Sequence, residues 1–188
     1  GGCASQLSDQ FRLARCLNDR CRQRARIAWR HQPAILVVGD DILWAADVAG
    51  DYQQALGLTN ETLKQLPSDA AVHEFRALCL FALGEYGQAA AALNPVLAVG
   101  PGWDWTTLMS LYPSTDVYTA QLRKLEEYVK AKLDAADARF VLAYHYLTMG
   151  HKDAAAKQLE YVVKAVPNDA VAKQMYDGLT YKPADDAP

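Results

Sequence analysis

The run GDYQQAL at residues 50–56 returns 34 residues later as GEYGQAA at 84–90, and a third related run, GHKDAAA, stands at 150–156. A proline follows each of these glycines at a distance of 17 residues, at Pro67, Pro101 and Pro167, with Asp-Ala shortly after at 69–70 and 169–170. Punctuation at a fixed period restricts a chain to architectures that use one small unit repeatedly. Between the marks the apolar residues keep helical spacing: Phe75, Leu78 and Ala82 precede Gly84, and Tyr86, Ala89, Leu93 and Val96 follow it. Each unit therefore reads as a helix, a glycine turn and a second helix ended by proline.

With units beginning at 36, 70 and 136, small residues recur at the eighth position (Ala77, Ala143) and at the twentieth (Ala55, Ala89, Ala155), where paired helices approach closely. This pattern resembles the tetratricopeptide repeat. The resemblance implies an all-α, right-handed solenoid of stacked helical hairpins over 36–169, in units of about 36–69, 70–103, 104–135 and 136–169. A basic amphipathic segment, 1–35, precedes the array, and a capping helix with a loose tail, 170–188, follows it. The first unit departs from the pattern, with Leu43 at its eighth position and Thr59 and Thr62 in its second helix, so its first helix is the weakest expectation. The third is degenerate: Pro113 cuts its first helix, no GxY turn follows, and Ser114 or Thr115 caps a longer helix bearing Tyr118, Leu122, Leu125 and Val129. Residues 70–167 are also similar to a family of bacterial repeat proteins in which HEFRALCLFALGEY, GPGWDWTTL, YPSTDVYTAQL and ARFVLAYHYLTMGH occur in this order. That second likeness implies the fold and no activity.

Catalysis leaves a cluster of ionisable groups with a reason to be near one another, and none is evident. His31, His73, His145 and His151 are scattered, and no HExxH, GxSxG, phosphate-binding loop or dinucleotide fingerprint occurs. Adjacent carboxylates such as Asp40-Asp41 and Glu126-Glu127 point in different directions on a helix. Cys3, Cys16, Cys21 and Cys79 have neither the number nor the spacing of a zinc site or a disulfide framework. The expectation is a chain without enzymatic activity, cofactor or metal. The longest apolar stretch, AILVV at 34–38, is far short of a membrane span. The compartment stays open between the cytoplasm, which we favour, and a periplasmic or lipid-anchored placement.

A stacked array offers a groove along its first helices, and protein–protein interaction or scaffolding is the expected function. Carried onto this sequence, the positions at which the resembled family contacts ligands include Asp40, Trp44 and Asp47 in the first unit, Glu74, Leu78 and Phe81 in the second, and Phe140 and Tyr144 in the last. That groove reads as aromatic with acidic spots, suited to a peptide or partner helix, and a basic one by charge. The places that would grip a chain-terminal carboxylate carry Asp40, Trp44 and Phe75, which disfavours that ligand. Trp103 and Trp105 flank Asp104 in the GWDW turn and read either as a packed joint between units or as a surface contact.

Charge is unevenly divided. Residues 1–35 hold seven arginines against two aspartates, a head of about +5 against a body of about −8. The alternative function is attachment of this Arg-rich helix to an anionic membrane surface or to nucleic acid, although no recognition motif accompanies it. Self-association through head and body is a further expectation. Val171, Met175 and Leu179 suit a closing helix over the last unit's apolar face.

Overall fold

The computed structural model describes residues 34–38, 41–45 and 52–181. The expected basic helix and the tail beyond Tyr181 lie outside the described residues, as do Asp40 and Asp47. Eight helices follow a two-stranded hairpin among the described residues. They are α1 (Tyr52–Gln65), α2 (Ala70–Leu83), α3 (Tyr86–Val99), α4 (Trp105–Ser110), α5 (Thr115–Ala131), α6 (Ala136–Thr148), α7 (Lys152–Ala165) and α8 (Ala170–Thr180). Consecutive helices pair as α1 with α2, α2 with α3, α6 with α7 and α7 with α8, which makes the body a solenoid of stacked helical hairpins.

The turns explain the periodic glycines. Gly84 (φ +81°) donates its backbone N–H to the Phe81 carbonyl while Glu85 donates to Leu80, and Gly150 (φ +80°) repeats this with His151 onto Leu147 and Tyr146. Each is a left-handed helix cap closed by two backbone bonds, a geometry that favours glycine. At the other end of each unit, Asp69 and Asp169 cap α2 and α8 by accepting backbone N–H groups of their first turns. The small residues are needed for packing: Ala55, Ala77, Ala89, Ala143 and Ala155 are at most 1% exposed.

Two expectations fail in instructive ways. The described residues at the start of the first unit are strands and not a helix: Ala34–Val38 (β1) and Asp41–Ala45 (β2) pair antiparallel, with Ile35 opposite Trp44 and Val38 opposite Asp41. The strands carry Ile and Val, which prefer an extended backbone, and the intervening sequence Gly39-Asp40 is costly inside a helix. Among the described residues the first unit thus contributes one array helix, α1.

The second departure concerns 104–135. This segment is not a rung between its neighbours, because α3 packs directly against α6 and so unit 136–169 stacks on unit 70–103. Pro113 follows a helix of only six residues, α4, too short to pair with another along its length. The longer α5 then packs against α6.

Candidate functional site

The side chains expected to line an open groove are closed over. Glu74, Leu78, Phe81, Phe140 and Tyr144 are each 5% exposed or less. Trp44 stands on β2 opposite Ile35 and not on a groove helix. The cover comes from the chain's own excursion. Tyr118 of α5 has its ring 6.4 Å from that of Phe81 and 5.6 Å from that of His145, and a 3.2 Å hydrogen bond joins its hydroxyl to His145 Nδ1. Leu78 lies beside Leu111 and Tyr112 at the end of α4, while Phe140 sits at the junction of α3 and α6 with Gly87 and Ala90. The α2 and α6 part of the expected groove is therefore interior in this structure, covered by residues 103–125 at Glu74, Leu78 and Phe81 and by α3 at Phe140.

Glu74 pins that excursion in place. Its Oε1 accepts the backbone N–H of Trp103 at 2.6 Å and the hydroxyl of Tyr144 at 2.7 Å. Burial raises the Glu74 pKa, and the two hydrogen bonds oppose the rise without cancelling it. Tyr144 is held well above the usual phenol value, first by burial and then by the Glu74 charge. Gly102, with φ +75°, turns the chain onto this carboxylate; a Cβ there would lie 2.7 Å from Glu74 Oε1. The tryptophans divide as a joint: Trp103 packs against the core, and Trp105, 36% exposed, meets Tyr118 edge-on at 5.4 Å. Asp104 caps α4 by accepting the Thr107 N–H.

His145 is a core residue. It is fully buried, its ring lies 4.1 Å from that of Phe81, and burial pushes its pKa down to about 3, so it is neutral. Its Nε2 has no hydrogen-bond partner. Among the described residues no group of histidine, cysteine, aspartate and glutamate side chains is placed to hold a metal ion, and no helix is long and apolar enough to cross a membrane.

The surface concavity lies elsewhere, where the turn 97–104, the end of α6 and the face of α8 meet. This groove, of about 660 Å³, is lined by Val99, Pro101, Trp103, Leu147, Met175 and Leu179, with Asp104 and Thr148 supplying polar groups. Val99 is 82% exposed at its edge. Of these, Trp103 is the residue that the sequence singles out, as a joint or a surface contact, and Leu147 and Thr148 belong to the end of α6. The rest arise from the turn and from the capping helix, and an apolar residue directly before Gly100-Pro101-Gly102 is the signal that points there.

Two family models, each described as "Tetratricopeptide repeat", match the chain, one over residues 49–111 and the other over 122–170, together more than half of its length. The chain belongs to the tetratricopeptide-repeat family. Such repeats are modules of protein–protein interaction and scaffolding, and this is the function class of the chain. Two solved structures also show likeness. One, titled "Crystal structure of MamA", is 20% identical, covering 69% of this chain and 77% of that one with a TM-score of 0.33. The other, "Crystal structure of MamA protein", is 19% identical over 69% and 78% of the two chains with a TM-score of 0.28. No curated protein matches the chain. Within the tetratricopeptide frame, residues 103–125 pack on the first-helix face of α2 and α6, and an apolar concavity lies at the α8 end.

Proposed function

We propose that this chain is a non-catalytic interaction module that holds an apolar segment of a partner protein in the groove beside α8. The observation that carries the reading is the exposure of Val99 at 82% beside a concavity walled by Trp103, Met175 and Leu179. Apolar side chains lining a groove of this size gain about 25 cal/mol for each Å² taken out of water. Asp104 stands at the same groove, and the Thr107 N–H that it accepts holds its carboxyl below the usual range, so it is ionised at neutral pH. The matching ligand is an amphipathic peptide with two or three apolar anchors and a lysine or arginine beside them. Salt weakens the charged contact and leaves the apolar one.

Peptides selected from a random library against the full chain test this reading. Those that bind should carry apolar anchors next to a basic residue, and Val99→Asp should weaken them by roughly tenfold or more. Lys64→Gln, at an exposed position near the end of α1, should leave them unaffected. Peptides indifferent to Val99→Asp would remove the groove from the function.

A further inference from the structure

Arg139 is a buried cation with no counter-ion among the described residues. It stands near the start of α6, 8% exposed, with its guanidinium carbon 3.9 Å from the centre of the Tyr161 ring. Its Nε and Nη2 each donate to the Leu133 carbonyl at 3.3 Å, and its Nη1 donates to Gln158 Oε1 at 3.0 Å. These partners hold the fork in one orientation but supply only dipoles. The ion pairs among the described residues join Lys64 to Glu61, Lys164 to Glu160 and Lys173 to Asp177, and none involves Arg139.

Arg139 lines an open cleft of about 280 Å³ between α5, α6 and α7. Lys130 adds a second, exposed cation to that cleft, and Leu133, 63% exposed, adds an apolar wall. The carboxylate in the lining, Glu126, accepts the Tyr146 hydroxyl at 2.8 Å, and the cleft holds two cations against this one anion. A guanidinium carries five N–H donors, more than its present acceptors use, in a planar fork that matches a carboxylate. Desolvating it without an opposite charge is unfavourable, so an incoming anion relieves a cost already present in the fold.

We infer that this cleft binds an acidic side chain of a partner protein, gripped by Arg139 and Lys130, with the neighbouring apolar residue of the partner resting on Leu133. The site is separate from the groove beside α8 and does not depend on it. A charge-assisted contact with a planar donor is among the stronger hydrogen-bonded pairings available at a protein surface.

The experiment titrates the full chain with acetyl-Leu-Glu-Leu-amide and with its glutamine counterpart, following the Arg139 Nε–H and Leu133 methyl signals by NMR. The glutamate peptide should give saturable shifts at both residues in the millimolar range, and the glutamine peptide should bind roughly tenfold more weakly. Lys130→Gln, at an exposed position, should weaken the glutamate peptide severalfold without altering the fold. Arg139→Met should abolish the response, but it also removes the bonds to Leu133, so the wild-type signals and Lys130→Gln decide. Equal binding of the two peptides, no response at Arg139 with millimolar glutamate peptide, or indifference to Lys130→Gln would each overturn the inference.

Discussion

The hydroxyl of Tyr144 donates a 2.7 Å hydrogen bond to Glu74 Oε1 across 70 residues of sequence, joining the first helices of two units that stack directly on one another. The same oxygen accepts the Trp103 N–H, so one carboxylate ties together α2, α6 and the turn that leads into the excursion. Removing its acceptors should be costly. Glu74→Ala leaves two buried donors without partners, and at about 1–3 kcal/mol for each such group the expected loss is a few kcal/mol by urea unfolding.

Glu74→Gln keeps an acceptor and removes the charge, which makes it a test of pH dependence. Because the folded pKa is raised above the ordinary value of 4.5, the fold prefers the protonated carboxyl. The stability from this group is fully present below that ordinary value and is lost as pH rises through the raised folded value. The difference in stability between wild type and Glu74→Gln should therefore shift in favour of glutamine as pH rises across that window. A difference independent of pH would show that the carboxylate is not titrating against burial.

His145 has the opposite sign for a base. Burial lowers its pKa from 6.5 to about 3, so it contributes stability above the ordinary value that is lost as pH falls toward the folded one. Its ring signals in an NMR titration should stay those of the neutral imidazole down to about pH 4. A midpoint near the ordinary histidine value would mean that water reaches the ring.

Gly102 and Gly84 share a left-handed backbone, φ +75° and +81°, but not the same surroundings. An added Cβ at Gly84 meets nothing within 4 Å, whereas at Gly102 it meets Glu74 Oε1 at 2.7 Å and Tyr144 Cε2 at 3.0 Å. Gly84→Ala should cost about 1–2 kcal/mol from backbone strain alone. Gly102→Ala should cost clearly more, and equal losses in thermal unfolding would show that the turn relaxes freely away from Glu74.

Ala89, completely buried between α3 and its neighbours, leaves no room for a larger side chain. Ala89→Leu should lower stability by about 1–3 kcal/mol through overpacking. An unchanged unfolding midpoint would place this position outside the close helix contact.

Local physics made much of this chain legible from its residues. Gly84 and Gly150 announce left-handed caps, Asp69 and Asp169 announce helix starts, and Ala77, Ala89, Ala143 and Ala155 announce close helix pairs, because each effect acts within a few residues of its cause. The helix of α5 and its cap at Ser114 were equally visible. At 34–45 the repeat alignment argued for a helix, and the β-branched run with Gly39 prevailed locally as a hairpin. Which apolar face meets which partner is a different kind of question. Phe81 and Tyr144 have the same periodicity and the same chemistry whether they face a ligand or Tyr118, so the pattern marked the groove and could not say that residues 103–125 fill it. The bond from Tyr144 to Glu74 and the groove between Val99 and Leu179 join segments far apart in sequence. Sequence periodicity assigned the faces, and only the tertiary stacking of α3 on α6 decided what covers them.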